Sequence, residues 1–120
     1  MAVILVVDDE VRYTKNLKKI LSLHGHDVSI ANSSEDAIRL GLEIKPDILI
    51  TDWMLQSDLD GGQVNAVLRE ANLSMKTLVI TGHSDLEQRN GSLLEHIEEI
   101  IHKPFRIQTV LDFINKALSE

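Results

Sequence analysis

Five short, continuously apolar runs alternate with five amphipathic stretches along the whole chain, and no other feature constrains the fold as strongly. The runs predict strands near 2–8, 27–31, 47–52, 76–81 and 98–102, and the stretches that follow them predict helices near 11–24, 34–44, 62–71, 84–95 and 106–118. The last helix is the most legible, with Ile107, Val110, Leu111, Ile114 and Leu118 recurring on one face; Val64, Val67 and Leu68 recur in the same way in the third. "SSED" at 33–36 and "SDLE" at 84–87 set a serine three residues ahead of an acid, the pattern of a capping box, and Gly25, Pro46 and Gly61-Gly62 punctuate the joints. Gly91 interrupts the fourth helix and makes it the weakest element. Strands alternating with helices imply a parallel sheet covered on both faces, and right-handed crossovers make an open, doubly wound α/β sheet the economical topology.

With 120 residues, 43% of them hydrophobic, the chain suits one domain, 1–120, with a single core and little room for a second, so no output domain is expected in it. Nineteen acidic against 12 basic residues give a formal net charge of −7, which disfavours direct nucleic-acid contact and favours a cationic or metal-bearing partner. The absence of cysteine excludes disulfides, thiolate metal sites and thiol catalysis. The opening "MAVILVVDDE" has too short an apolar run for a secretion signal, and no segment has the length to cross a bilayer, so a cytoplasmic chain without membrane insertion is expected.

In an open α/β sheet, ligands bind at the carboxyl ends of the strands, so the side chains at those ends carry the functional information. The first strand ends in Asp8-Asp9, the third in Asp52, the fourth in Thr81 and the fifth in His102-Lys103-Pro104. Three carboxylates brought to one edge repel one another, and burial sharpens the cost, so a cation is expected among them. A hard divalent ion with oxygen ligands, Mg²⁺ above all, meets that need and leaves positions for water and phosphate oxygens. Lys103 and Thr81 add a fixed cation and a hydroxyl donor, which point to a second, anionic guest, and phosphoryl is the natural candidate. Asp52 is then a nucleophile that forms an acyl phosphate. Taken singly, Asp9 reads equally as a cap of the first helix, Asp8, Asp58 and Asp60 as solvated loop acids, Thr81 as an ordinary strand residue and Lys103 as a surface lysine. The five histidines show no metal-ligand spacing, and Trp53 reads as a packing residue placed to report on Asp52.

Four motifs, "VILVVDDE" at 3–10, "PDILITDWML" at 46–55, "TLVITGHS" at 77–84 and "HKPF" at 102–105, occur in order at compatible spacings, and the chain resembles a response-regulator receiver domain of two-component signalling along essentially its whole length. The resemblance implies a flavodoxin-like (βα)5 fold with strand order 2-1-3-4-5. It implies that Asp52 accepts phosphoryl from a histidine kinase or histidine phosphotransfer protein, and that Asp9, Asp52 and the backbone carbonyl of Met54 bind Mg²⁺ with Asp8 acting through water. Thr81 and Lys103 would contact the phosphoryl group, and Lys103-Pro104 would be a cis peptide. The fourth helix, fifth strand and fifth helix would form the face for a downstream protein target or a receiver dimer.

Some positions depart from that pattern. Gln56 stands where a proline is common, "LQSDLDGG" is a residue longer than usual, and Ile100 occupies a position that often holds a switching aromatic residue. Isoleucine offers no ring and few rotamers, so output is expected to run through the loop after Thr81 and the Gly91-weakened helix. Met54 and His83 flank the expected path of the hydrolytic water. The alternative function is a pseudo-receiver, a constitutive docking module that is never phosphorylated; a small aspartyl-phosphate phosphatase is the third reading, and it lacks the substrate pocket such chemistry requires.

Overall fold

In the computed structural model, which describes residues 1–82 and 96–119, the strands are β1 (Val3–Val7), β2 (Asp27–Ala31), β3 (Ile48–Thr51), β4 (Lys76–Thr81) and β5 (Glu99–His102). The helices described are α1 (Val11–Leu23), α2 (Ser34–Ile44), α3 (Gly61–Ala71) and α4 (Ile107–Ser119), the last being the fifth helix expected from the sequence. The helix expected near 84–95, its "SDLE" start, His83 and Gly91 lie outside the described residues. All strand pairs are parallel, and the sheet order is β2-β1-β3-β4-β5, as expected.

The continuous apolar runs are explained by burial on both sheet faces, since successive strand residues point to opposite sides. Ile4, Val6, Ile48, Ile50, Leu78 and Ile80 enter one core with Leu17 and Leu21 of α1 and Val110 and Ile114 of α4. Leu5, Val7 and Leu49 enter the other, with Ala37 of α2 and Val64 and Leu68 of α3. Two residues assigned to buried helix faces lie further out: Val67 and Leu118 are 37% and 43% exposed.

The joint between β3 and α3 is tighter than a flexible loop. Neither Gly61 nor Gly62 has positive φ; both are small because of what they touch. A Cβ on Gly61 would meet the Asp52 carbonyl and one on Gly62 the Trp53 ring, so this helix start lies directly against the end of β3. Asp60 is not a free turn acid. It caps α3 in a full capping box, its carboxylate accepting the Gln63 amide at 2.8 Å while Gln63 Oε1 accepts the Asp60 amide at 3.0 Å. Ser33 caps α2 by accepting the Asp36 amide at 3.2 Å, as its motif predicts.

Candidate functional site

The sheet register sets the ends of β1, β3, β4 and β5 side by side, with Val7 opposite Thr51 and Thr81 opposite His102. The ladder continues one residue beyond two of these strands, because the Asp52 amide donates to the Val7 carbonyl at 3.0 Å and the Asp8 amide to the Ala31 carbonyl at 3.2 Å. The two acids therefore leave the sheet from backbone positions that are still hydrogen-bonded to a neighbouring strand. Asn32 supports the first from outside, donating to the Asp8 carbonyl at 2.8 Å and to the Thr14 hydroxyl at 3.0 Å.

Lys103 closes the corner. Its ammonium donates to Asp8 Oδ2 and Asp52 Oδ2 at 3.1 Å each, across 95 and 51 residues of sequence, and its amide donates to the Thr81 carbonyl at 2.8 Å. The Lys103–Pro104 peptide is cis, as the resemblance implied. Asp8 Oδ1 accepts the Glu10 amide at 3.0 Å and Asp52 Oδ1 the Met54 amide at 3.3 Å. Thr81 is fully buried at the end of β4, and the Met54 side chain is exposed.

Asp9 takes a different direction. Glu10, not Asp9, is the N-cap residue of α1, and Asp9 Oδ2 accepts the backbone amide of Gln56 at 3.1 Å. That bond needs an N–H at position 56, which the proline common there in the family would not have. The structure thus gathers Asp8, Asp52 and Lys103 directly and ties the Asp9 carboxylate to the Gln56 loop. Among the described residues, no three His, Cys, Asp or Glu side chains form a ready-made metal cluster. The longer loop is pinned at its middle: Ser57 Oγ accepts the Ser34 amide at 3.0 Å, and Ser34 Oγ accepts the Leu59 amide at 3.3 Å.

The electrostatics follow from burial. The Asp8 carboxyl is pushed above the ordinary carboxylate value by desolvation, against the opposing pull of the Glu10 amide and Lys103. Burial acts to lower Lys103, but its hydrogen bonds and charge contacts with Asp52 and Asp8 outweigh that and raise it. Burial, followed by the charges of Asp8 and Asp52, also raises Tyr13 far above a free phenol. One ammonium bridging two carboxylates leaves one negative charge uncompensated among these three groups.

Three residues that the motifs did not single out contribute here: Asn32, the Gln56 amide and Tyr13. Tyr13 lies under Lys103 with its ring centroid 4.5 Å from Nζ, and Phe105 meets that ring edge-on at 5.8 Å. A groove of about 550 Å³ runs away from this pair along α1, past Leu17 and Ile20. Trp53 is buried against Val79, with Ile100 and Ile97 partly buried beside it.

Open parallel sheets with an acidic, lysine-bridged carboxyl edge define a class of α/β proteins that bind their ligands at the strand tips. The chain matches the response regulator receiver domain over residues 4–115 and belongs to that family. It is 30% identical over 115 residues to the response regulator MprA of Mycobacterium leprae, covering 96% of this chain and 50% of that protein. It is 31% identical over 108 residues to the transcriptional regulatory protein TrcR of Mycobacterium tuberculosis, covering 90% and 42%. The crystal structure of a response regulator receiver domain protein from Clostridium thermocellum superposes with a TM-score of 0.89 at 30% identity over 99% of this chain and 95% of that one. The chain spans half or less of the length of these curated relatives. No helix among the described residues is long and apolar enough to cross a membrane.

Proposed function

We propose that the chain is a phosphorylation switch in which Asp52 accepts a phosphoryl group from a phosphohistidine on a histidine kinase or phosphotransfer protein. The observation that carries this reading is the bridge from Lys103 Nζ to Asp8 and Asp52 at 3.1 Å each, at the carboxyl edge of a doubly wound sheet. An Asp52 oxygen forms the new P–O bond as the P–N bond breaks, with the electron pair leaving on the imidazole nitrogen. Lys103 then donates to a phosphoryl oxygen, and Thr81, fixed at the end of β4, donates its hydroxyl to another.

The donor set fits Mg²⁺: its oxygens are hard, its charge is unbalanced, and among the described residues Asp9 is held by a single amide hydrogen bond that it can exchange. Asp9, Asp52 and the Met54 carbonyl would hold the ion, with Asp8 acting through water, and the ion when bound supplies neutralisation of the transferring oxygens. The Gln56 amide holds the Asp9 carboxylate before that exchange. No observation favours the pseudo-receiver reading.

For the whole protein, a cytoplasmic location is the reading we adopt, with the downstream target or a receiver dimer meeting the face that includes β5 and α4. A relative is a transcriptional regulatory protein, so any nucleic-acid contact would belong to a part beyond this acidic domain. The test follows Trp53 fluorescence as Mg²⁺ and then beryllofluoride are added to wild type and Asp52→Asn. A metal-dependent beryllofluoride response in wild type alone is expected. A response retained in Asp52→Asn, or absent from wild type, would overturn the reading.

A further inference from the structure

Lys103 has three N–H donors, and the structure assigns two of them to Asp8 and Asp52 at 3.1 Å each. A third contact is of another kind: the Tyr13 ring faces the same ammonium at 4.5 Å and is braced edge-on by Phe105, two residues past Lys103. Among the described residues, the ammonium is thus located by two anions and one aromatic face. These partners differ in what competes for them. A divalent cation and a phosphoryl group both compete for the carboxylates, whereas the ring quadrupole attracts only the ammonium and remains available when the carboxylates are engaged elsewhere. The Tyr13 hydroxyl is buried with no hydrogen-bond partner among the described residues, so the contact belongs to the ring.

We propose that Tyr13 is a positioning residue for Lys103, an aromatic shelf that keeps the ammonium beside Asp52 while its N–H donors pass from the carboxylates to the oxygens of an arriving phosphoryl group. This rests on the phosphoacceptor reading above, and it separates the ring from the hydroxyl: phenylalanine replaces tyrosine here, and an aliphatic residue of similar bulk does not.

The experiment compares wild type, Tyr13→Phe, Tyr13→Leu and Tyr13→Met, the last being an unbranched filler should leucine disturb the α1 core. Without metal, the Lys103 ε-methylene protons are expected upfield, by ring current, in wild type and Tyr13→Phe and at ordinary positions in the other two. At saturating Mg²⁺, beryllofluoride affinity read by Trp53 fluorescence is expected within twofold of wild type for Tyr13→Phe and about two- to fivefold weaker for Tyr13→Leu and Tyr13→Met, the range of one cation–π contact. Affinity for Mg²⁺ alone is expected to stay unchanged. Wild-type beryllofluoride affinity in the leucine and methionine variants, or no upfield shift in wild type, overturns the shelf alone. A wild type that shows the upfield shift but no beryllofluoride response overturns the phosphoacceptor reading and the shelf's role with it.

Discussion

Two polar clusters sit at opposite ends of β4, and they are built on different rules. At the amino end, Asn65 of α3 accepts the Thr77 hydroxyl at 2.6 Å and donates to the His96 carbonyl at 3.1 Å. Arg69 shares that carbonyl at 2.9 Å and pairs with Glu98 at 3.1 Å, and Glu98 Oε1 also accepts the Thr77 amide. One positive charge meets one negative charge, and the buried Thr77 hydroxyl and Asn65 amide satisfy each other. At the carboxyl end, one ammonium is divided between two carboxylates and faced by an aromatic ring, and a third acid accepts a backbone amide. A balanced network rigidifies a fold; charges left unbalanced mark a candidate site.

That contrast breaks first at Asn65. Asn65→Ala strands the buried Thr77 hydroxyl and weakens the hold on His96, so a loss of about 2 kcal/mol in denaturant unfolding is expected, with the Mg²⁺ and beryllofluoride responses intact. A stability loss near zero would show that the amino-end network is not structural.

Asp8→Asn is expected to act in the opposite direction. Because burial raises the folded Asp8 value above 3.8, the folded state holds that proton more tightly than the unfolded state. Stability attributable to Asp8 is therefore greatest at acid pH and falls as pH rises from about 3.8 through the raised folded value. Lys103 keeps Asp52 as its partner in the variant, so metal-free Asp8→Asn is expected to be more stable than wild type at neutral pH, the gain shrinking as pH falls toward 3.8. Equal or lower stability than wild type at pH 7 would mean that the corner is already balanced.

The smallest effect lies away from both clusters and calibrates them. His26 Nδ1 accepts the Ala2 amide at 3.1 Å, which requires the neutral ring, and burial lowers its value below 6.5. A depressed folded value means that this stability is present above about pH 6.5 and is lost as pH falls toward the folded value. A loss below about 1 kcal/mol, absent from His26→Gln, is expected because the ring is partly solvated. An unchanged slope in the variant would remove His26 from the acid response.

Much of the carboxyl-end cluster was legible in the chain because strands are read as apolar runs, and a run that stops at Asp8-Asp9 or Asp52 marks its own end. Trp53 was likewise legible as a packing residue. What depends on rotation about a helix axis was not: nothing in "DDEVRYTK" says that Tyr13 will face Lys103, 90 positions away, and nothing in "GGQVNAVLRE" says that Asn65 will meet Thr77. Backbone groups are invisible to residue patterns, so the Gln56 amide on Asp9 could be found only in three dimensions. Asp60 read as a solvated loop acid is instead the cap of a helix, a pairing that its three-residue spacing to Gln63 could have signalled, and Gly61-Gly62 read as turn residues turned out to be small for contact with Asp52 and Trp53.

The most direct measurement is intact mass after exposure to a small phosphodonor with Mg²⁺, made side by side on wild type, Asn65→Ala and Asp52→Asn at a temperature where all three are folded. Gain of a single phosphoryl group by wild type and Asn65→Ala, and by neither when Mg²⁺ is withheld, with none on Asp52→Asn, is the expected result. Uptake by Asp52→Asn, or no uptake by wild type, would contradict the assignment of function to the unbalanced corner.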